Sequence, residues 1–394
     1  MGFFDFIKKA TSQIQQNNTP IGVKNTVPEE DKKYYQPDSY YTSKAHEGTV
    51  FEKNVLTFDE YKKRSIASKN GLYVPEILLL EYCSNGAYPG PKNGYPGFWW
   101  FEYGIRDVGA MLKSLEERNF IKWAPISNSV MRLTISSLKE ILEKHNLSVS
   151  GKKAELVERV ISSISDEQLE TLNLERKYEL TDLGKSELAE NQYIPYLHRH
   201  KYISVWEMNN YLYNNNPSNL GYRDILWREF NKQSGEHFQN YDFGLYRNTR
   251  LNMHDFLMEE SKYKTALHML VEVASFDLSG LGNGDKPERN DQSWRELRYQ
   301  SKLVNLFFDE EQEATIPPGI ITYFKKLYEL LEMSEIEFKN YIYEGFSKIK
   351  IHERVFLPDE CANIVLSSLG IEERKIKNSK KVAEARLKEL LSLR

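Results

Sequence analysis

The segment SVSGKKAELVER, residues 148 to 159, groups side chains that can hold an anion. Ser150 and Gly151 precede Lys152 and Lys153, and Arg159 closes the segment. Ammonium and guanidinium groups donate charged hydrogen bonds to phosphate oxygens. Backbone N–H groups at the start of a helix favour an anion at the same place. The segment therefore predicts a phosphate-binding loop in front of a helix.

Two short amphipathic helices must position this loop. Their apolar residues recur three and four positions apart, which is typical of helices that bury one face. These residues are Leu138, Ile141 and Leu142 before the loop, and Ala154, Leu156, Val157 and Val160 after it. Thr134 or Ser136 is the expected N-cap of the first helix, and Asn146 is its expected end. We expect Leu147 and Val149 to fill the small core from the loop.

This helix–loop–helix pattern resembles the SAP domain, a DNA-binding module of about 35 residues. The resemblance spans residues 133–172, and its matching core covers less than a tenth of the chain. The order and spacing of the matching positions fit throughout. The matching positions are Leu133, Leu138, Lys139, Leu142, Leu147, Gly151, Lys153, Leu156 and Arg159.

The resemblance implies that the loop and the start of the second helix face the DNA backbone. The predicted nucleic-acid-binding residues are Ser136, Lys139, Ser150, Gly151, Lys152, Lys153 and Arg159. Contacts to phosphates position a protein without reading bases, so this binding should be weak, salt-sensitive and largely independent of sequence.

A second interpretation of the pair stays open. Its five basic residues (Lys139, Lys144, Lys152, Lys153 and Arg159) stand against four acidic ones (Glu140, Glu143, Glu155 and Glu158). Lysines on small helical domains are commonly just solvated, and some SAP-like folds bind protein. The pair could therefore be purely structural or contact a protein partner.

The flanks of the pair resemble a winged helix-turn-helix domain over residues 56–195. YGIRDVGAMLKSLEERNFIKW is similar to its third helix and first wing strand, with Asn119 where a glycine is usual. The second wing strand and the turn after it match at Tyr178, Leu180, Thr181, Gly184 and Leu188. The SAP-like pair would then be inserted at the tip of the wing, where a folded insertion costs little.

The presumed recognition helix of this domain is neutral overall. Arg106, Lys113 and Arg118 are balanced by three acidic residues at 107, 116 and 117. Helices that read the major groove are usually more basic. A structural or protein-binding winged helix therefore stands beside the groove-reading alternative.

The remaining chain is predicted to be an arm and a helical domain, so the fold class is mainly α. Residues 1–55 are polar and interrupted by prolines, which predicts a flexible N-terminal arm. Residues 196–394 are predicted to form a helical C-terminal domain. Its expected helices are 203–214, 220–233, 261–276, 293–309, 318–332, 334–348, 358–369 and 379–392.

Composition excludes several classes of protein. The net charge of −4 gives no global attraction to nucleic acid, so any anion binding must be local. Cys83 and Cys361 form no disulfide scaffold or zinc ribbon and fit a reducing cytosol. The histidines are scattered, and DLSGLGNGD lacks the ligand order of a calcium loop. We predict no catalytic residue, no metal and no cofactor.

The sequence thus predicts a cytoplasmic, non-catalytic protein that binds double-stranded DNA through the SAP module. The Lys-, Glu-, Asn- and Tyr-rich composition suggests a low-GC bacterium or its phage, and an accessory protein of a phage or mobile element would fit. The C-terminal helices would serve a homo-oligomer or a protein partner. The alternatives are a protein-interaction scaffold without DNA binding and a nucleic-acid enzyme whose site lies in the C-terminal domain.

Overall fold

The computed structural model describes residues 56–89, 94–214, 216–286, 291–351, 353–374 and 379–392. The chain divides into two compact units, Met1–Ser218 and Asn219–Arg394. Helices make up most of the described residues, so the predicted mainly α fold is confirmed. The predicted N-terminal arm, residues 1–55, lies outside the described residues.

The first unit contains helices and one two-stranded sheet. Its elements are α1 (Phe58–Arg64), α2 (Val74–Ser84), α3 (Phe98–Phe101), α4 (Val108–Glu117), β1 (Ile121–Trp123), α5 (Ile126–Arg132), α6 (Ile135–Lys144), α7 (Lys153–Ser163), α8 (Asp166–Glu170), β2 (Tyr178–Leu180), α9 (Asp182–Glu190), α10 (Tyr193–His200) and α11 (Val205–Asn214).

Helix α2 is the centre of this unit. Pro75 lies in its first turn, where a missing N–H costs nothing, and residues 77–80 are all buried. A helix that is apolar on every side must be surrounded, and α2 packs against α4, α9, α10, α11 and β2.

The two predicted wing strands pair with each other. Strands β1 and β2 are antiparallel, with Ile121 opposite Leu180 and Trp123 opposite Tyr178. Residues 124–177 lie between them in sequence, so α5 to α8 form an insertion in a hairpin. Asn119 adopts φ 61° at the turn into β1, a conformation that asparagine tolerates better than most residues. The resemblance of this frame to a winged helix stays a prediction.

The first unit ends later than residue 195, where the sequence places the boundary. Helix α10 packs on α2, and α11 packs on both α10 and α2. The buried Asn209 side chain accepts from the Ile66 N–H at 2.8 Å and donates to the Ile66 carbonyl at 3.0 Å. These long-range bonds hold α11 in the first unit, which extends to Ser218.

The second unit is an array of helices with one short strand pair. Its elements are α12 (Tyr222–Gln239), α13 (Phe243–Glu259), α14 (Tyr263–Asp277), α15 (Gln292–Asn305), β3 (Phe307–Phe308), β4 (Ala314–Thr315), α16 (Pro318–Leu331), α17 (Glu335–Lys348), α18 (Pro358–Ser368) and α19 (Lys380–Leu390).

Helix α14 forms the core of the second unit. It packs against α13, α16, α17 and α18, and its run from Met269 to Asp277 is buried except at Glu272. Helix α13 was absent from the predicted helices, and α15 ends before Phe307, which belongs to β3 instead. In the described part of the chain, no helix combines the length and the apolar character that crossing a bilayer requires.

Candidate nucleic-acid interface

The insertion between β1 and β2 has a hydrophobic core of its own. Buried side chains from α5, α6, α7 and α8 meet in one cluster: Ile126, Val130, Leu138, Ile141, Leu142, Leu156, Val160, Ile164 and Leu169. Leu147 and Val149 pack against this cluster from the loop, as predicted. Helices α5 and α8 were not predicted, so the module contains four helices rather than two.

The first predicted contact helix, α6, begins at a hydroxyl cap. The Thr134 hydroxyl accepts from the Ser137 N–H at 3.2 Å, so Thr134 is the N-cap rather than Ser136. Ser136 is exposed in the first turn, with its hydroxyl 3.5 Å from a Glu140 carboxylate oxygen. Lys139 is exposed one turn further along the helix.

The loop between α6 and α7 turns at two residues with positive φ. Asn146 has φ 55° directly after α6, where the Leu147 N–H donates to the Leu142 carbonyl at 2.8 Å. Gly151 has φ 125°, a conformation that side-chain-bearing residues rarely adopt. A Cβ at Gly151 would also collide with the Glu155 carboxylate. The glycine is therefore required by the backbone conformation, whereas the Glu155 side chain could move aside.

Glu155 occupies part of the anion-binding position that the sequence assigns to a phosphate. Its carboxylate accepts from the Lys152 N–H at 3.2 Å, at the start of α7. Sequence reasoning missed this role, although a glutamate three residues after an N-cap is the signature of a capping box. A phosphate that approaches the start of α7 would meet a negative charge already in place.

Arg159 braces the loop. Its Nη1 donates to the Ser148 carbonyl at 2.7 Å and to the Ser150 carbonyl at 2.9 Å, and the residue is half-buried. These bonds fix the loop from the second turn of α7. The Arg159 side chain, which the sequence predicts to contact an anion, therefore stabilises the loop of the module.

Lys152 and Lys153 are the exposed cations of the loop. Neither forms an ion pair with any described residue, and both are exposed together with Ser150 and Gly151. Within the described chain, no hydrogen bond or ion pair links Ser136 or Lys139 to this loop. The structure therefore brings residues 150–153 and Arg159 together and leaves Ser136 and Lys139 on the exposed side of α6.

The residues elsewhere that resemble catalytic or metal-binding groups have internal partners. His198 lies 2.7 Å from the Tyr103 hydroxyl and 3.2 Å from the Tyr82 hydroxyl, and burial lowers its pKa to about 4. Asp277 accepts two bonds from Arg247, at 2.8 and 2.9 Å, although burial raises its pKa. Among the residues that the structure describes, no three His, Cys, Asp or Glu side chains are grouped to hold a metal ion.

Comparison with known proteins identifies the inserted module. Residues 129–164 match the family model of the SAP domain, which begins within α5 and covers α6 and α7. No curated protein and no solved structure shows a significant match to the chain. The predicted SAP resemblance is confirmed for this segment, and it indicates nucleic-acid binding in general.

Proposed function

Starting from the SAP domain at residues 129–164, we propose that this chain is a non-catalytic protein that binds the phosphate backbone of double-stranded DNA. The observation that carries the proposal is the exposed Ser150–Lys153 loop, whose two lysines have no acidic partner among the described residues. Because ammonium groups attract any phosphate, this loop provides affinity without reading bases.

The proposed mechanism is local and electrostatic. The chain carries a net charge of −4, so the field of the whole protein does not draw it to DNA. The loop is held by Arg159, and Gly151 permits its turn, so Lys152 and Lys153 are presented from a fixed backbone. A preorganised loop loses little conformational entropy when it binds. Lys139 and Ser136 on α6 extend the proposed contact surface.

Replacement of both loop lysines should weaken binding and reduce its salt dependence. In Lys152→Ala/Lys153→Ala, the plot of log K against log salt for generic duplex DNA should lose about 1.8 from its slope, about 0.9 per phosphate contact. Fluorescence anisotropy at several salt concentrations measures both quantities. Lys325→Ala/Lys326→Ala changes the net charge equally at two adjacent exposed lysines of α16, in the other unit, and should bind like wild type. Equal slopes in wild type and the loop variant would remove the role assigned to these lysines.

Removal of the charge on Glu155 should strengthen duplex binding. Glu155→Gln keeps an acceptor for the Lys152 N–H but takes a negative charge away from the start of α7. A charge at the start of a helix changes the free energy of interaction by roughly 0.3–1 kcal/mol. The dissociation constant for duplex DNA should therefore fall by about two- to fivefold. Glu158→Gln, an exposed change one turn further along the same helix, is the control. If both variants bind alike, Glu155 does not compete with phosphate.

One observation favours a protein-binding module instead. Met131 and Ile135 are apolar residues of the module with 54% and 48% of their surface exposed. Exposed apolar side chains close together suit a protein partner better than a phosphate backbone. This alternative predicts no salt-dependent binding of duplex DNA, so the anisotropy titration separates the two functions.

The biological setting proposed here is a cytoplasmic accessory protein of a phage or mobile element in a low-GC bacterium. It is supported by the composition and by the absence of a disulfide between Cys83 and Cys361, which are both free and buried. The helices of the second unit are proposed to bind another copy of the chain or a protein partner. Analytical ultracentrifugation of the full chain tests the first of these.

A further inference from the structure

The second unit contains a cavity in which one wall is aromatic and the other is charged. Its volume is about 550 Å³, within the range of ligand sites in proteins. The aromatic wall is formed by Phe238, Tyr241, Phe243 and Phe276 from the junction of α12 and α13 and from α14. The charged wall is formed by Asp285, Arg298, Lys350 and Glu353.

The aromatic wall offers flat surfaces at the cavity. Phe238 and Phe243 meet edge to face with ring centroids 5.6 Å apart, and Phe243 stacks on the buried Phe276 at 5.8 Å. Phe238 is 45% exposed even though it belongs to this cluster. An exposed aromatic ring next to a cavity is a surface on which a planar ligand can stack.

The glycine-rich loop after α14 lines one side of the cavity with Leu281 and Asp285. Its backbone bonds to the junction of α12 and α13, where the Phe243 N–H donates to the Gly282 carbonyl at 3.3 Å and the Asp285 N–H to the Tyr241 carbonyl at 3.2 Å. Gly280 has φ 70°, and a Cβ there would collide with the backbone carbonyl of Lys302 on α15. The loop thus joins the aromatic wall to α15, which carries Arg298 of the charged wall.

The charged wall has hydrogen-bonding groups left over. The Arg298 side chain donates from Nε to Asp285 and from Nη2 to Glu353, while Lys302 donates to Asp285 and forms an ion pair with Glu353 at 3.5 Å. Within the described residues, Nη1 of Arg298 and Oε1 of Glu353 have no hydrogen-bond partner. Arg298 is 8% exposed, the Glu353 side chain is 30% exposed, and both residues line the cavity, so a ligand can reach these two groups.

These features define the ligand's chemistry. A purely apolar ligand would bury Nη1 of Arg298 and Oε1 of Glu353 without partners, which is costly. A nucleobase has a flat face for stacking and an edge that carries both donors and acceptors. Lys350, exposed beside the cavity, supplies a charge for a phosphate group.

We propose that this cavity binds a nucleotide, with its base stacked on the ring of Phe238, its base edge bonded to Arg298 and Glu353, and its phosphate against Lys350. The site goes beyond the proposed duplex binding, because the SAP module lies in the other unit. The nucleotide belongs either to a free pool or to an unpaired position in a single strand, since both present the same base and phosphate.

Calorimetric titration of the full chain tests this site. The probes are the four 5′-mononucleotides and a mixed-sequence single-stranded DNA 12-mer. Stacking of one base on an aromatic ring contributes enough that Phe238→Leu should weaken binding about fivefold or more. Lys350→Ala should weaken it several-fold, because it removes the phosphate contact. Matched controls are Phe307→Leu, another exposed aromatic residue, and Lys348→Ala, an exposed lysine of α17 away from the cavity lining.

The outcomes separate the sources and the proposals. If mononucleotides bind and both Phe238→Leu and Lys350→Ala weaken this binding, the result supports a free nucleotide. If only the 12-mer binds and both variants weaken its binding, the result supports a nucleotide within a strand. No binding of either probe, or binding that the two cavity variants leave unchanged, overturns the site. Duplex DNA titrated in parallel should bind all four variants like wild type, so failure of the cavity proposal is distinguishable from failure of duplex binding.

Discussion

Replacement of Asp285 by alanine is expected to lower the free energy of unfolding of the second unit by about 3–5 kcal/mol, the usual cost of breaking a buried ion pair from one side. Asp285 accepts from Nε of Arg298 at 2.5 Å and from Nζ of Lys302 at 2.7 Å. Lys302 is 1% exposed. Without the aspartate, two buried cations would share only Glu353, and solvation could not replace the lost partner.

Hydrogen exchange of the full chain measures this effect where it arises. In Asp285→Ala, amides in residues 219–394 should lose protection while those in residues 56–218 keep it, because the two units are separately compact. Glu344→Ala is the control, since its ion pair with Lys348 is exposed on both sides and should be worth little.

A compensating variant tests the electrostatic cause. Asp285→Ala/Lys302→Met removes one charge of each sign, so the remaining Arg298 and Glu353 still balance. The double variant should be more stable than Asp285→Ala alone. If Asp285→Ala costs no more than Glu344→Ala, the network does not stabilise the second unit.

Replacement of Leu142 by alanine is expected to unfold the SAP module and abolish duplex binding through it. Leu142 is fully buried in the module core, and a buried leucine-to-alanine change costs about 2–5 kcal/mol. The core is a small cluster of buried side chains from four short helices, so a loss of this size removes a large part of its local stability. The β1–β2 hairpin should survive, because it packs on α2 and α4 outside the module.

Hydrogen exchange and DNA titration together test this prediction. Amides of residues 126–170 should lose protection in Leu142→Ala, and duplex affinity should fall at least as far as in the loop-lysine variant. Ile135→Ala removes an aliphatic side chain from an exposed position in the same module and should leave both measurements near wild type. Wild-type DNA affinity in a Leu142→Ala protein whose module has lost protection would show that the bound surface lies elsewhere.

Local pattern was sufficient for the elements near the interface. Helices α6 and α7 follow from leucines and valines at helical spacing: α6 ends within two residues of the expected Asn146, and α7 contains the apolar positions predicted for the second helix. The ends of β1 and β2 follow from the helix end before one strand and the Thr181 cap after the other, whereas their pairing is implied only by the resemblance of the two flanks to a winged helix. For the helices and the strand ends, the signal lies in residues that are close together in the chain.

Helix α13 shows where local pattern fails. Its buried face includes Tyr246 and Phe256 but also the polar residues Thr249 and His254. The hydrophobic periodicity is weakened because these polar residues stand at buried positions, where Thr249 donates to the Leu245 carbonyl of its own helix and His254 finds its partner on another helix. Nδ1 of His254 lies 3.1 Å from the Ala266 carbonyl of α14, a partner that the sequence does not reveal.

In the candidate sites too, some features follow from the local sequence and others depend on the tertiary structure. The sequence by itself determined the residue types of the SAP loop, its glycine turn and its two lysines, because these depend on neighbours within a few positions. Tertiary structure alone decided that Arg159 braces the loop and that Asp285 joins Arg298 and Lys302. These contacts depend on which groups lie close together in the folded protein. The position of a charged residue in the sequence does not specify its partner.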